Sequence, residues 1–225
     1  MAERVNPKRR YESPRRREQA AATRMHILQA AQRLFEQHGY AATTMASIAA
    51  EAGVALKTVY LAFETKSGVV RALWDVLLRG PRDSPVAAQP WYREVIEERD
   101  PERRLRLNAR NSRVVKTRIG ALLRLIRSAA PLDADIEALW NHIQTDFYDN
   151  KRAIVQELDH TRSLRPGLDV ARATDILWTL NHPDVWQLLV GERGWTPERY
   201  EQWFGDTACA QLLRRDPSHH SGERR

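Results

Sequence analysis

The 225-residue sequence contains a single cysteine, Cys209. An intrachain disulfide and a zinc site built from several cysteines are both excluded, and Cys209 itself is expected to be a small apolar side chain in the last helix. Glycine and proline are sparse, with ten and eleven residues, and no run of alternating β-branched residues occurs. Because the helix formers Ala, Leu, Arg, Glu and Gln dominate, we expect an all-α fold.

Long apolar runs and catalytic signatures are missing as well. No stretch of roughly eighteen apolar residues occurs, and none follows the basic N-terminus, so we expect a protein that is neither secreted nor membrane-spanning. The sequence has no Gly-rich phosphate loop, no Gly-x-Ser-x-Gly and no His-Glu-x-x-His. The pair His219-His220 has no partner at metal-ligand spacing. We therefore predict a protein that is not an enzyme and has no cofactor or metal.

The most informative segment runs from Thr43 to Lys66 (TTMASIAAEAGVALKTVYLAFETK). Two short helical patterns flank the corner Ala52-Gly53-Val54, and Thr43 or Thr44 can cap the first of them. The second pattern, residues 56–63, turns its apolar side inward at i, i+4 spacing and leaves Lys57, Thr58 and Tyr60 outside. This pattern is typical of a helix-turn-helix, whose second helix enters the DNA major groove.

The charge distribution agrees with that interpretation. The net charge is +7, and residues 1–71 hold twelve Lys and Arg against six Glu, whereas the remaining residues hold 24 bases and 23 acids. An excess of positive charge beside one motif is what phosphate neutralisation requires. We therefore expect double-stranded DNA as a partner of the N-terminal part.

The rest of the chain divides at proline and glycine. We predict a disordered basic arm over residues 1–20, which is either a solvated tail or an arm that reaches DNA phosphates or the minor groove. A DNA-binding domain follows over 21–80, with a first helix over 21–38 ended by Gly39 and the motif at about 44–63. A helical regulatory and dimerisation domain is expected over 81–215, with one helix over 169–190 kinked at Pro183. Residues 216–225 are expected to be a disordered tail.

Spaced positions in the N-terminal part resemble the TetR family of bacterial transcriptional regulators. The matching residues, over roughly 22–75, are Gly39-Tyr40, Thr43-Thr44, Ile48-Ala49, Ala52-Gly53-Val54, Thr58-Val59-Tyr60, Phe63 and Lys66. The resemblance implies phosphate contacts from Thr44, Tyr60 and Lys66, and a base-facing surface formed by Leu56, Lys57, Thr58 and Leu61. The sequence departs from the family pattern at Ala55, Lys57 and Ala62, where Ser, Gly and an aromatic residue are usual. Ala55 in particular removes a side-chain cap.

The resemblance also implies a ligand-sensing and dimerising second half. Candidate pocket residues are Trp74, Leu77, Trp91, Trp140, Phe147 and Trp178, for each of which a place in a filled core is the alternative. Arg124 and His142 are candidates for a ligand's polar end, with a surface position as the alternative. The last two helices, about 169–190 and 197–213, are the expected dimer surface, with Leu180, Leu188, Trp203 and Phe204 as candidate contacts.

The function implied is a DNA-binding repressor that binds a pseudo-palindromic operator as a homodimer and is released by a small-molecule effector. The alternative is a ligand-independent DNA-binding or architectural protein. The expected location is the bacterial cytoplasm, at the nucleoid.

Overall fold

The computed structural model describes residues 14–79 and 89–214, which form helices and short connections with one isolated bridge between Leu164 and Leu213. The all-α prediction is confirmed. The helices are α1 (Pro14–Ala42), α2 (Met45–Glu51), α3 (Leu56–Phe63), α4 (Lys66–Arg79), α5 (Pro90–Glu97), α6 (Pro101–Ala129), α7 (Ala134–His160), α8 (Val170–Leu180), α9 (Pro183–Trp186) and α10 (Pro197–Leu212).

The chain divides into two compact units, and the division falls inside α4, between Ala72 and Leu73. In the first unit, α1 to α3 bury a small apolar core formed by Ile27, Leu28, Ala31, Phe35, Ile48, Ala49, Val59 and Phe63. The alanines in this core let the short helices approach closely. In the second unit, α6, α7, α8 and α10 enclose a larger core that includes Leu105, Ile154, Leu158, Leu177, Tyr200 and Phe204.

Helix α1 begins at Pro14, earlier than the predicted start near residue 21. Proline suits the first turn of a helix, and the residues after it (RRREQAAA) are strong helix formers. Residues 14–20 of the predicted disordered arm are therefore helical, while residues 1–13 lie outside the described part. Gly39 interrupts the helical geometry with φ +73°, as expected of a glycine that ends a helix.

The prediction of one helix over 169–190 with a kink at Pro183 is wrong. Helix α8 ends at Leu180, and Pro183 is the first residue of a separate helix, α9. Proline has no amide hydrogen to continue a helix, but it fits the first position of a new one. The His182 Nδ1 atom accepts a hydrogen bond from the Asp184 amide at 3.2 Å and caps α9. A π-helical turn, Gln187–Glu192, follows α9 directly.

Within residues 14–79 and 89–214, no single helix is long and apolar enough to cross a membrane. Helices α2 and α3 have the required length and composition only when taken together, and they are bent by 114° at the turn between them.

Candidate DNA interface and internal cavity

The first helix of the motif, α2, has a complete N-terminal cap. The Thr44 Oγ1 atom accepts from the Ser47 amide, and the Ser47 Oγ atom accepts from the Thr44 amide, both at 3.0 Å. This reciprocal pair satisfies two amides that the helix itself leaves without acceptors. Of the two candidate caps, Thr44 is therefore the one used, and its exposed side chain stands at the start of the motif.

Helix α3 has a buried side and an exposed side. Val59 and Phe63 are buried, whereas Leu61 is 78% exposed and Tyr60 48% exposed. The other predicted DNA-contacting residues of α3 lie on the surface or partly exposed: Leu56, Lys57 and Thr58. Gly53, at φ +61°, makes the corner before α3. The bend of 114° between α2 and α3 is within the range of a helix-turn-helix.

Two features set the ends of α3. Ala55 occupies the N-cap and makes no side-chain hydrogen bond, as predicted from the missing hydroxyl. At the other end, Arg24 of α1 donates to the Ala62 carbonyl oxygen, and its guanidinium lies 4.2 Å from the centre of the Phe63 ring. A cation at a helix C-terminus is electrostatically favourable. Arg24 thus holds α3 by the end opposite to Lys57.

Lys66 lies at the start of α4 and holds the turn before α2. Its ammonium donates to the carbonyl oxygens of Tyr40 at 2.8 Å and Thr43 at 3.0 Å, and it lies 4.0 Å from the centre of the Tyr40 ring. The buried Thr43 hydroxyl donates to the Gly39 carbonyl oxygen at 2.8 Å. These bonds fix the chain that presents Thr44 to the surface. The predicted phosphate contact of Lys66 remains a prediction.

The second unit contains a cavity of about 120 Å³ between α4, α5, α6 and α7. Three of the predicted pocket residues line it together: Trp74, Trp91 and Phe147. Leu78 on α4 lines it where Leu77 was predicted. The other apolar lining residues include Val95, Val115, Ile119, Leu123, Ile143 and Ile154.

The remaining pocket candidates lie elsewhere. Trp178 packs edge-on against His182, with ring centres 4.8 Å apart, and Trp140 lies 5.6 Å from the Arg127 guanidinium. Neither of these residues nor Leu77 is part of the cavity lining. Arg124 and His142 are exposed; Arg124 donates to Gln187 Oε1 at 3.1 Å, and His142 Nε2 lies 3.5 Å from Asp146 Oδ2.

Two lysines that the sequence reasoning missed line this cavity, Lys116 and Lys151. Burial lowers the pKa of both, and that of Lys151 falls to about 7. The sequence did carry a signal, because each lysine continues an apolar helical stripe. Lys116 lies between Ala109 and Ile119, and Lys151 between Phe147 and Ile154.

The candidate dimer residues have different environments. Phe204 is 0% exposed and packs inside its own chain, so it offers no surface to a partner and we do not retain it as an anchor. Leu188 is 52% exposed, and Leu180 and Trp203 are partly exposed. Other partly exposed apolar residues of the same C-terminal elements are Val170, Ile176, Val185, Leu189 and Val190.

A capped, tightly bent helix pair with an exposed second helix, joined to a larger helical unit with an internal cavity, defines a helix-turn-helix DNA-binding protein. The family model described as "Bacterial regulatory proteins, tetR family" matches residues 27–73. A probable HTH-type transcriptional regulator, ArpR, from Pseudomonas putida is 32% identical over 165 residues, which are 71% of this chain and 76% of that protein. The chain therefore belongs to the TetR family, and it is a DNA-binding transcriptional regulator.

Solved structures agree on the fold over both units. The SmeT–triclosan complex matches with a TM-score of 0.68 at 21% identity, covering 86% of this chain and 92% of that one. NalD, the secondary repressor of the MexAB-OprM multidrug efflux pump in Pseudomonas aeruginosa, matches with a TM-score of 0.66 at 20% identity, covering 88% and 98%. At these identities, the agreement shows the fold alone.

Proposed function

We propose that this regulator is a homodimeric repressor that binds a pseudo-palindromic operator through α3 and leaves it when a small molecule occupies the cavity of the second unit. The observation that carries the proposal is the place of α4. Lys66 at its start bonds the turn before α2, while Trp74 and Leu78 further along the same helix line the cavity. A ligand that shifts α4 therefore has a direct path to the motif.

The exposed face of α3 supplies the DNA contacts in this proposal. Leu56, Lys57, Thr58 and Leu61 face the base edges, and Thr44, Tyr60 and Lys66 approach phosphates. A two-fold dimer places two such helices in successive major grooves, so the half-sites lie about one helical turn apart or a multiple of it. Binding at such a site assigns the protein to the bacterial cytoplasm, at the nucleoid.

The dimer surface is the apolar face of α8, α9, the π-helical turn Gln187–Glu192 and α10. Partly exposed apolar side chains concentrate there, and Leu188 is a large apolar residue that is half exposed. Helix pairs of this kind form four-helix bundles across a two-fold axis. We expect Leu188→Arg to convert the dimer into a monomer at micromolar concentration, measured by analytical ultracentrifugation. Leu132→Arg is the matched control, because Leu132 is also a large exposed leucine but lies between α6 and α7. A wild-type chain that stays monomeric contradicts the dimer.

The proposed release by an effector is tested by comparing effector binding to the free and to the DNA-bound protein. A compound found by thermal-shift screening is titrated into the free protein and into its complex with a selected operator fragment. We expect weaker binding to the complex, because an effector that releases DNA must bind the DNA-free state better. Equal affinity for the two states contradicts effector release. It favours the ligand-independent alternative, for which the cavity has no regulatory role.

A further inference from the structure

Two buried lysines line the cavity of the second unit, and no carboxylate within residues 14–79 and 89–214 lies close enough to neutralise them. Lys116 and Lys151 are 4% and 6% exposed, and in the described part of the chain neither ammonium is ion-paired with a carboxylate. The one carboxylate among the described lining residues, Asp146, is 58% exposed on its side chain and lies 3.5 Å from His142. A buried ammonium without a counter-ion is unfavourable. An anion in the cavity removes that cost.

The two lysines differ in how their hydrogens are used. The Lys116 ammonium donates to Ser112 Oγ at 2.9 Å, the Asn181 carbonyl oxygen at 2.6 Å and Tyr200 Oη at 2.9 Å, and it also contacts Asn181 Oδ1. An ammonium has three N–H donors, so Lys116 is fully occupied by its own chain. It joins α6 to the α8–α9 turn and to α10.

Lys151 is the lysine with donors to spare. Its ammonium donates to Asn108 Oδ1 at 2.8 Å and lies 5.1 Å from the centre of the Phe147 ring, and the described residues supply no second hydrogen-bond acceptor. Two N–H groups therefore remain for a ligand. Since a protonated lysine only donates, this bond also fixes which end of the Asn108 amide faces Lys151.

Other polar atoms in the same lining lack partners. The Asn108 Nδ2 atom is buried without an acceptor, and both polar atoms of the Gln144 amide are buried without partners in the described structure. Asn108 is only 4% exposed. Buried polar groups are almost always satisfied, so each exception requires an explanation. A ligand with two acceptor oxygens supplies partners for the donors of Lys151, Asn108 and Gln144, whereas the Gln144 Oε1 atom accepts from another donor when the site is filled.

The remaining lining residues determine the size and polarity of the part of the ligand that carries no charge. Trp74, Trp91, Phe147, Ile143 and Ile154 make the lining mostly apolar and aromatic. The volume of about 120 Å³ is close to that of an apolar protein cavity of roughly 150 Å³ that accommodates benzene. A single ring fits, with a small acidic substituent directed at the polar side.

We propose that this cavity binds small aromatic monocarboxylic acids, whose carboxylate accepts hydrogen bonds from Lys151, Asn108 and Gln144 while the ring packs on Trp74, Trp91 and Phe147. The inference rests on the proposed function in one respect, since it takes this cavity as the effector site.

Three probes with the same ring and different charge test the class: benzoate, benzamide and benzylamine. Each is titrated by calorimetry into the DNA-free full chain at about pH 6, where the carboxylate is ionised and Lys151 is protonated. We expect benzoate to bind about tenfold more tightly than benzamide, the factor by which a charge-assisted hydrogen bond exceeds a neutral one, and benzylamine more weakly than either. Equal affinities, or no binding of benzoate at millimolar concentration, overturn the proposal.

Two variants test whether Lys151 is the residue that makes the cavity prefer benzoate to benzamide. Lys151→Met removes the ammonium and keeps an unbranched chain, and we expect it to reduce the benzoate preference to within about twofold. Arg152→Met is the matched control, because it removes the same charge from the neighbouring residue, which is exposed and paired with Asp149. It should keep the full preference. A Lys151→Met protein that still prefers benzoate overturns the assignment.

If Lys151→Met does not fold, the pH dependence of benzoate binding to the wild-type protein tests the role of Lys151. Because deprotonation of Lys151 removes the charge, benzoate affinity should fall by about tenfold in total as the pH rises above 7, whereas benzamide affinity should change little. Benzoate and benzamide affinities that are equal over the whole pH range contradict the proposal. Operator binding by the same preparation is measured separately. A protein that binds its operator but ranks the probes equally overturns this inference and leaves the DNA-binding proposal intact.

Discussion

The Lys66 ammonium donates a hydrogen bond to the Tyr40 carbonyl oxygen at 2.8 Å and lies 4.0 Å from the centre of the same residue's ring. One side chain of α4 is thereby held both by the backbone and by the aromatic face of the turn that follows Gly39. A second bond, to the Thr43 carbonyl oxygen, lies next to the cap of α2. Helix α4 and the start of the DNA-binding motif are therefore fixed to each other.

Lys66→Met removes these bonds and the cation–π contact. We expect the free energy of unfolding to fall by about 2 kcal/mol, in the range measured for hydrogen bonds to charged groups. Urea denaturation measures the change. Lys57→Met is the matched control, since it removes the same charge from an exposed position of α3 and should change stability by less than about 0.5 kcal/mol. Equal stabilities of the two variants contradict the positioning role of Lys66.

Lys57→Ala tests the exposed face of α3. If Lys57 reads a base, the variant should lose about 1–3 kcal/mol of binding free energy on the operator and almost none on scrambled DNA. If it contacts a phosphate, both affinities should fall together and the salt dependence should become shallower. Fluorescence anisotropy on the two DNA fragments at several salt concentrations separates the cases. Unchanged affinity on both fragments removes Lys57 from the interface.

Gly68→Ala tests the junction between α3 and α4. A Cβ atom at this position meets the Phe63 carbonyl oxygen far inside van der Waals contact, and the backbone there must shift to accommodate it. We expect a loss of stability of about 2 kcal/mol or more, together with weaker operator binding. Gly205→Ala is the control within a helix, because its Cβ meets only ordinary contacts at 3.6 Å and beyond. It should be neutral or stabilising by up to about 1 kcal/mol.

The stability of the ligand-free protein should rise with pH above neutrality. Burial lowers the pKa of Lys151 to about 7 in the folded chain, while the unfolded chain keeps the ordinary value of 10.5. Between these values the unfolded state binds more protons, so unfolding becomes less favourable as pH rises, by up to about 1.4 kcal/mol per pH unit.

Lys151→Met separates this effect from that of Cys209. Cys209 acts in the opposite direction at higher pH, because burial raises its pKa to about 11. The difference between wild type and variant cancels that contribution, and it should increase as the pH rises from about 7 to 8.5. A difference that is independent of pH shows that Lys151 keeps its proton when buried.

Local signals in the sequence predicted the DNA-binding part well. The Thr44 cap, the glycine corner and the i, i+4 pair Val59 and Phe63 depend on neighbouring residues only, and each lies where the pattern predicts it. The predicted start of α1 is wrong, because a proline in a basic segment is compatible both with a disordered arm and with the first residue of a helix, which Pro14 is. The break at Pro183 was expected as a kink, since the sequence does not show whether a helix bends or restarts.

The cavity was harder to predict, because it depends on how four helices pack against one another. Aromatic type alone does not distinguish Trp74, which lines the cavity, from Trp178, which packs on His182. The polar residues were misassigned for a related reason. Arg124 and His142 are polar residues on apolar-rich helices, yet both are exposed, whereas Lys151 lies within the apolar stripe itself and lines the cavity.

The most direct test of the account is a titration of the full chain with an operator fragment selected from random DNA, set beside a scrambled fragment of equal length. We predict that two chains bind one pseudo-palindrome, at least about a thousandfold more tightly than the scrambled fragment at physiological salt. Equal affinity for the two fragments would show that the exposed face of α3 does not read sequence, and it would contradict the account.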